Sequence, residues 1–188
     1  MASKQKITVF NLWNWLFHQN FFAGVEAELE FADLAANEGY IIEKIPQDQK
    51  SFEKYIKALR LDAHNFRHIK RGDFTVRNLV NLEVEVKCFS PGTSPNGQKY
   101  FTLKYRELKG LEAMSDVTKT PICIAIFGRS GRAVKPNSLK MVSLKDVMNK
   151  RDGITYNKHF KSMRIPASAM LDGFELFDDF KKEVLKME

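Results

Sequence analysis

Cysteine is scarce in this chain of 188 residues: there are two, Cys88 and Cys123, both in apolar runs that read as strands. That excludes a disulfide framework and suits buried thiols in a reducing, cytoplasmic compartment. No Cys-x-x-Cys pair occurs, which argues against structural zinc. Long apolar runs are missing too. The longest fall far short of the roughly 20 residues that a membrane-crossing helix needs, so no membrane contact is expected. The N-terminal stretch MASKQKITVFNLWNWLF begins basic and turns aromatic. Asn11 and Asn14 interrupt it and no small-residue cleavage site follows, so it is not expected to act as a signal peptide. There is no internal repeat, low-complexity tract or Gly/Ser linker. The basic loop Gly128 to Arg132 lacks the Gly-Lys-Ser/Thr ending and the following helix of a P-loop. His64 and His68 stand four apart on a predicted helix, but no glutamate adjoins the first, which excludes a zinc-protease motif.

The composition present, 44% hydrophobic and 28% charged, is that of a globular domain with a real core. The formal net charge of +7 points to an anionic partner, with nucleic acid ahead of membrane.

Along the chain, residues 7–22 are aromatic and apolar without a clean period. They read as a leading helix or a capping strand, with ordinary core the favoured role. Gly24 to Glu38 is predicted as a helix stopped by Gly39. Its expected apolar stripe is Val25, Leu29, Ala32 and Ala36, and Glu28 falls on the flank of that stripe. Tyr40 to Ile45 reads as a strand closed by Pro46. Lys50 to Lys70 reads as a second helix, with a core face of Phe52, Ile56, Leu59, Ala63 and Phe66. Its other sides carry Lys54, Lys57, Arg60, Arg67 and Lys70, with Arg71 following, an excess of cations suited to phosphate contacts. Ser90 to Gly97 reads as a loop, Tyr105 to Thr118 as a helix, and Pro121 to Phe127 as a strand covered on both faces. Leu139 to Leu144 is expected to be the last strand, followed by a short helix through Met148. Asp152 to Arg164 reads as a basic loop, and Phe174 to Met187 as a terminal amphipathic helix. The whole is a mixed sheet with helices on both faces.

The stretch Gly72 to Phe89, GDFTVRNLVNLEVEVKCF, is the informative one. It reads as a hairpin turning near Arg77-Asn78. Strand alternation sends Leu82, Val84, Val86 and Cys88 one way and Glu83, Glu85 and Lys87 the other. Three charges on one face of an otherwise apolar strand have two readings. One is the solvated face of an edge strand. The other is a divalent-metal site with a lysine beside it.

An acid, a hairpin and then Glu-x-Lys on the second strand resembles the PD-(D/E)XK nuclease superfamily, and within it the archaeal Holliday-junction resolvase branch. Gly24, Glu28, Gly39 and Tyr40 match the register of that branch's first helix and strand, and Tyr100 and Leu108 match the approach to the strand at Ile122. The resemblance covers roughly residues 24 to 145. It implies an α/β, restriction-endonuclease-like fold: a central mixed β-sheet flanked by helices, an αβββαβ core, here with an inserted basic helix. It also implies a single nuclease-like domain over residues 1–188, with an aromatic N-terminal segment (1–23) and a C-terminal basic loop and helix (150–188) around the core. Gly72, not proline, precedes Asp73, at a position that varies widely in that superfamily, and the inserted helix separates the first strand from the acid by more than compact resolvases allow.

On this resemblance the catalytic residues are Asp73, Glu85, Lys87 and Glu28. Asp73, Glu85, the Val86 carbonyl and Glu28 would hold Mg²⁺, with Mn²⁺ as substitute. Lys87 would have its pKa lowered by the adjacent metal and would orient or deprotonate water. Glu83 is a candidate extra ligand, with the charge of a strand end, a bystander, as the favoured reading. Lys54, Lys57, Arg60, Arg67, Lys70, Arg71, Arg129, Arg132, Lys158 and Lys161 would contact the backbone of duplex or branched DNA. The expected function is Mg²⁺-dependent hydrolysis of DNA phosphodiester bonds. The alternatives are a non-catalytic nucleic-acid-binding module of the same fold and a partner-binding protein with a merely exposed edge strand. A homodimer is a further expectation, with the aromatic N-terminus as its candidate interface.

Overall fold

Residues 9–46, 69–79, 81–131 and 133–185 are described by the computed structural model of the chain. Helix α1 runs over Val9–Asn37, so the aromatic segment belongs to the leading helix and not to a strand. It ends where Gly39 takes a positive φ of 81° and the Tyr40 N–H bonds back to the Ala35 carbonyl at 2.9 Å, a left-handed stop that glycine adopts without strain.

The buried stripe of α1 is Ala23, Ala27, Phe31 and Ala35, not the predicted Val25, Leu29, Ala32 and Ala36. Val25 and Leu29 are exposed, as are Phe21 and Phe22, which also corrects the assignment of these aromatics to the core. The larger apolar side chains suggested one face, but the sheet takes the alanine stripe. Small residues let the helix axis approach closely while Phe31 fills the remaining space.

Strand β1 (Ile42–Lys44) pairs antiparallel with β2 (Phe74–Val76), and β2 pairs with β3 (Leu82–Phe89) across the predicted hairpin. Beyond β3 come β4 (Gly92–Thr93), β5 (Lys99–Lys104), helix α2 (Tyr105–Thr118) and β6 (Ile122–Ser130). The β3–β6 pairing is parallel, with Glu85 opposite Ile124 and Lys87 opposite Ile126. Then follow β7 (Ala133–Val134), β8 (Lys140–Ser143), the short helix α3 (Leu144–Met148), β9 (Thr155–Asn157), β10 (Ser162–Pro166), β11 (Leu171–Asp172) and helix α4 (Glu175–Leu185). The main sheet has the order β1-β2-β3-β6-β8-β11, with β7 on β6. The αβββαβ core expected from the sequence is present. The predicted inserted helix, Lys50 to Lys70, lies outside the described residues but for its last two.

Each face of this sheet buries its own core. One face packs Ala27, Phe31, Val84, Val86, Cys123, Ala125 and Phe127 with Phe177 of α4. The other packs Ile122, Ile124 and Ile126 with Leu108, Leu111 and Met114 of α2. This second core is closed by a second sheet, β4-β5-β10-β9, where β5 and β10 supply Phe101, Leu103, Met163 and Ile165. Here two expectations fail. Leu139 to Leu144 is not the last strand, and Asp152 to Arg164 is a hairpin and not a loop. Strand β9 spans Thr155–Asn157 and has no apolar alternation of its own. Its conformation comes from pairing with β10, which pairs in turn with β5.

Candidate active site

Strand β3 lies between β2 and β6. It is not an edge strand, so the exposed-edge reading of its charges does not hold. Glu83 and Glu85 are 2% and 1% exposed. Buried carboxylates require partners, and those partners define the site.

Asp73 sits one residue ahead of β2, where the two strands separate. Its N–H donates to the Val84 carbonyl at 2.7 Å and its carbonyl accepts from the Ile45 N–H at 2.9 Å. Its carboxylate then takes over from the missing strand: Oδ2 accepts from the Val86 N–H at 2.8 Å. That contact places Asp73 beside Glu85. Burial first, then the Glu85 charge, push the Asp73 carboxyl from 3.8 up to about 6, with Glu28 adding to the rise and the Val86 N–H opposing it.

Glu85 Oε1 accepts from both Lys70 and Lys87. Its other oxygen, Oε2, is buried and has no hydrogen-bond partner among the described residues. Lys87 also lies 3.7 Å from Glu107, in the first turn of α2. Burial pulls the Lys87 pKa down, but the charge and hydrogen bond of Glu85, with Glu107, outweigh it, and the ammonium is held above the ordinary lysine value. With Glu85 and Glu107 beside it, Lys87 is a protonated donor; the lowered pKa expected from the sequence belongs to the cation-bound site.

Glu28 is half-buried and ion-paired with Lys44 of β1. Its charge reaches Asp73, so α1 does direct it toward the site. Among the described residues no group of three or more His, Cys, Asp or Glu side chains is gathered to hold a metal ion. What fits a divalent cation is the pair Asp73 and Glu85. One carboxyl is raised by burial and then by the Glu85 charge, and the other carries a buried oxygen with no donor among the described residues. Mg²⁺ binds through one or two carboxylates and keeps several waters, so the pair Asp73 and Glu85 could hold it. Glu28 would join on leaving Lys44.

Several roles escape sequence reasoning. Glu83 is no idle charge. Oε1 accepts from Arg71 Nε and Nη2 at 3.1 and 2.6 Å, and Oε2 accepts from the Gly72 N–H at 2.9 Å. Proline at position 72 would have no N–H to give. A Cβ there would also come within 2.9 Å of the Val84 carbonyl oxygen. Glycine in place of proline is therefore matched to Glu83. Lys70 and Arg71, expected to face phosphate, are ion-paired with the buried carboxylates Glu85 and Glu83 and remain partly exposed. Glu107 went unnoticed, because nothing in a helix sequence signals that its first turn meets a lysine on β3. Lys158 and Lys161 are exposed and Arg129 lies on β6. Lys54, Lys57, Arg60, Arg67 and Arg132 lie outside the described residues.

The elevated Asp73 pKa has a consequence for stability. The folded protein binds this proton more tightly than the unfolded chain does. Its contribution is therefore fully present below pH 3.8 and lost as pH rises through about 6, for a total of about 3 kcal/mol. Thermal melts in chelator are expected to show that decline, with Asp73→Asn flattening it and Mg²⁺ offsetting it above pH 7. An equal decline in Asp73→Asn would show that the carboxyl is not the source.

No protein-family model matches the chain, and no curated protein matches it by sequence. Among solved structures the chain is similar to the Holliday junction resolvase Hjc of Archaeoglobus fulgidus, at a TM-score of 0.50 and 12% identity, over 82% of this chain and 95% of that one. It is also similar to a nuclease from a fusselovirus at a TM-score of 0.44 and 13% identity, over 99% and 100% of the two chains, a likeness too loose to carry weight. The first match shows the fold: a central mixed sheet flanked by helices, the restriction-endonuclease-like arrangement.

Proposed function

We propose that this protein is a metal-dependent nuclease that hydrolyses phosphodiester bonds in DNA, with Asp73, Glu85 and Lys87 at its centre. The observation that carries the reading is the buried Oε2 of Glu85, without a hydrogen-bond partner among the described residues, beside a carboxyl raised by burial and then by the Glu85 charge, with a protonated lysine on the same strand face. Anion-rich, incompletely satisfied and next to a cationic donor, this is an arrangement that a divalent cation and a phosphate together would complete.

Asp73 and Glu85, with the Val86 carbonyl, would hold Mg²⁺ or Mn²⁺. Once bound, the cation supplies Lewis acidity toward phosphate oxygen and water. The chain's own residues do the rest. The Val86 N–H fixes the Asp73 carboxylate, so that its position costs no reorganisation. Lys87, held by Glu85 and Glu107, presents an ammonium where negative charge builds on the phosphate. The backbone contacts proposed for Arg129, Lys158 and Lys161 would give affinity that falls steeply with salt. A homodimer remains part of the proposal.

Incubation of plasmid, linear, single-stranded and four-way-junction DNA with Mg²⁺ or Mn²⁺ tests the reading. Cleavage that stops in chelator supports it, and binding without cleavage under any of these conditions replaces it with the non-catalytic module. In the same series, Lys158→Ala with Lys161→Ala is expected to weaken binding to all DNAs alike. It should also reduce the slope of log affinity against log salt by about 2. An unchanged slope removes those lysines from the interface.

A further inference from the structure

The hairpin β9–β10 has a four-residue tip, Lys158 to Lys161, closed where Asn157 pairs with Ser162. All of the tip is exposed, and Phe160, at 71%, is the most exposed large apolar residue described. A single exposed phenylalanine is unremarkable by itself. This one is held in place. Its N–H donates to Asn157 Oδ1 at 3.2 Å, Lys161 turns the chain with a φ of 46°, and the ring packs edge-on against His159 at 4.7 Å. Lys158 and Lys161 flank it, and among the described residues neither is paired with a carboxylate.

The tip is also fastened to the candidate active site. The Lys161 carbonyl accepts from the N–H of Tyr105, the first residue of α2, at 3.0 Å, and the Tyr105 ring packs on Tyr156 of β9 at 4.9 Å. Two residues further along α2, Glu107 meets Lys87. The aromatic tip and the lysine thus share one helical turn as their support. Deeper in the hairpin, Arg164 stacks over Tyr100 at 4.2 Å, so the hairpin is anchored on β5.

We propose that Phe160 stacks on an unpaired or unstacked nucleic-acid base next to the bond to be cut, with Lys158 and Lys161 holding the phosphates on either side. This rests on the nuclease reading and deepens it, naming as substrate a DNA with an accessible base face. A ring on a hydrogen-bonded turn between two cations matches a base within its phosphate backbone. Aromatic platforms and wedges act on nucleic acid in this way. The combination does not suit a lipid surface, which takes a broader apolar face.

The test uses the full chain in chelator, so that no cleavage is needed. The probes are a DNA duplex carrying 2-aminopurine as a single-base bulge, the same duplex fully paired, and anionic phospholipid vesicles. The wild type is expected to bind the bulged DNA and change the probe's fluorescence. Phe160→Ala should bind it about 10- to 100-fold more weakly, with the fluorescence change lost and binding of the paired duplex altered by less than about twofold. Phe160→Trp should keep both properties. Phe160 is exposed and its turn is held by backbone and Asn157, so the fold should survive, which circular dichroism checks. If Phe160→Ala matches the wild type on bulged DNA, the stacking role is overturned while the nuclease reading stands. If the wild type binds no DNA, both fall. If the residue matters only for vesicle binding, the partner is a membrane and the proposal is overturned.

Discussion

Glu85→Gln and Lys87→Ala are each expected to lower Mg²⁺-dependent DNA cleavage by about 10²–10⁴-fold while leaving the fold and DNA binding in place. The two substitutions remove different things. Glu85→Gln keeps the shape of the side chain but deletes the charge that accepts from Lys70 and Lys87 and would hold the cation. Metal affinity should therefore fall with activity, and a calorimetric titration with Mn²⁺ should show it. Lys87→Ala leaves both carboxylates. Metal binding should survive, or strengthen because a competing ammonium has gone from Glu85, while the rate collapses. This difference separates a catalytic lysine from a structural one. Both side chains that pair with Glu85 are partly exposed, so they can turn to solvent, and neither variant should lose more than about 1–2 kcal/mol of stability. Cleavage by either variant within about threefold of wild type would place the chemistry elsewhere.

The second large effect falls on stability. Glu83→Ala removes the acceptor for the Arg71 guanidinium and for the Gly72 N–H together. Breaking a buried pair from one side costs about 3–5 kcal/mol. The lower end applies here because Arg71 is one-third exposed and can reach water. Gly72→Ala attacks the same joint sterically. Its Cβ would lie 2.9 Å from a carbonyl oxygen of β3, and backbone cannot yield as a side-chain tip can, so about 1–3 kcal/mol is expected. Both changes move Asp73, the next residue, away from the Val86 N–H. Activity should therefore fall further than stability explains, even at temperatures where the variant is fully folded. Urea melts paired with cleavage assays measure the two effects separately. A Glu83→Ala protein that melts with the wild type would mean that Arg71 and Gly72 find other partners at no cost.

Alternation on β3 was legible because it is a local property. Side chains of a strand alternate whatever surrounds it, so Glu83, Glu85 and Lys87 share a face in any fold that keeps the strand. Helix α2 was legible over its full span, Tyr105–Thr118. The apolar run at β6 was legible because a strand buried on both faces must be apolar throughout. The phase of α1 was not. Its sequence offers a bulky apolar stripe and an alanine stripe, and the choice depends on how closely the sheet approaches. The second sheet was not read from the sequence: on β5 the alternation of Phe101 and Leu103 with polar neighbours spans only a short strand, and β9 owes its conformation to pairing with β10, itself paired with β5, which is distant in sequence.

The sequence by itself determined which chemical groups this protein can bring to bear: an acid before a hairpin, Glu-x-Lys after it, an excess of cations and no disulfide framework. Tertiary structure decided what each group does, because burial and partners are non-local. Only the packing of β3 between β2 and β6 makes Glu83 and Glu85 buried. One of them is thereby a fully bonded brace for Gly72, and the other is a carboxylate with an oxygen to spare. Two glutamates two residues apart on one strand face are equivalent as sequence. Their different surroundings give them different roles.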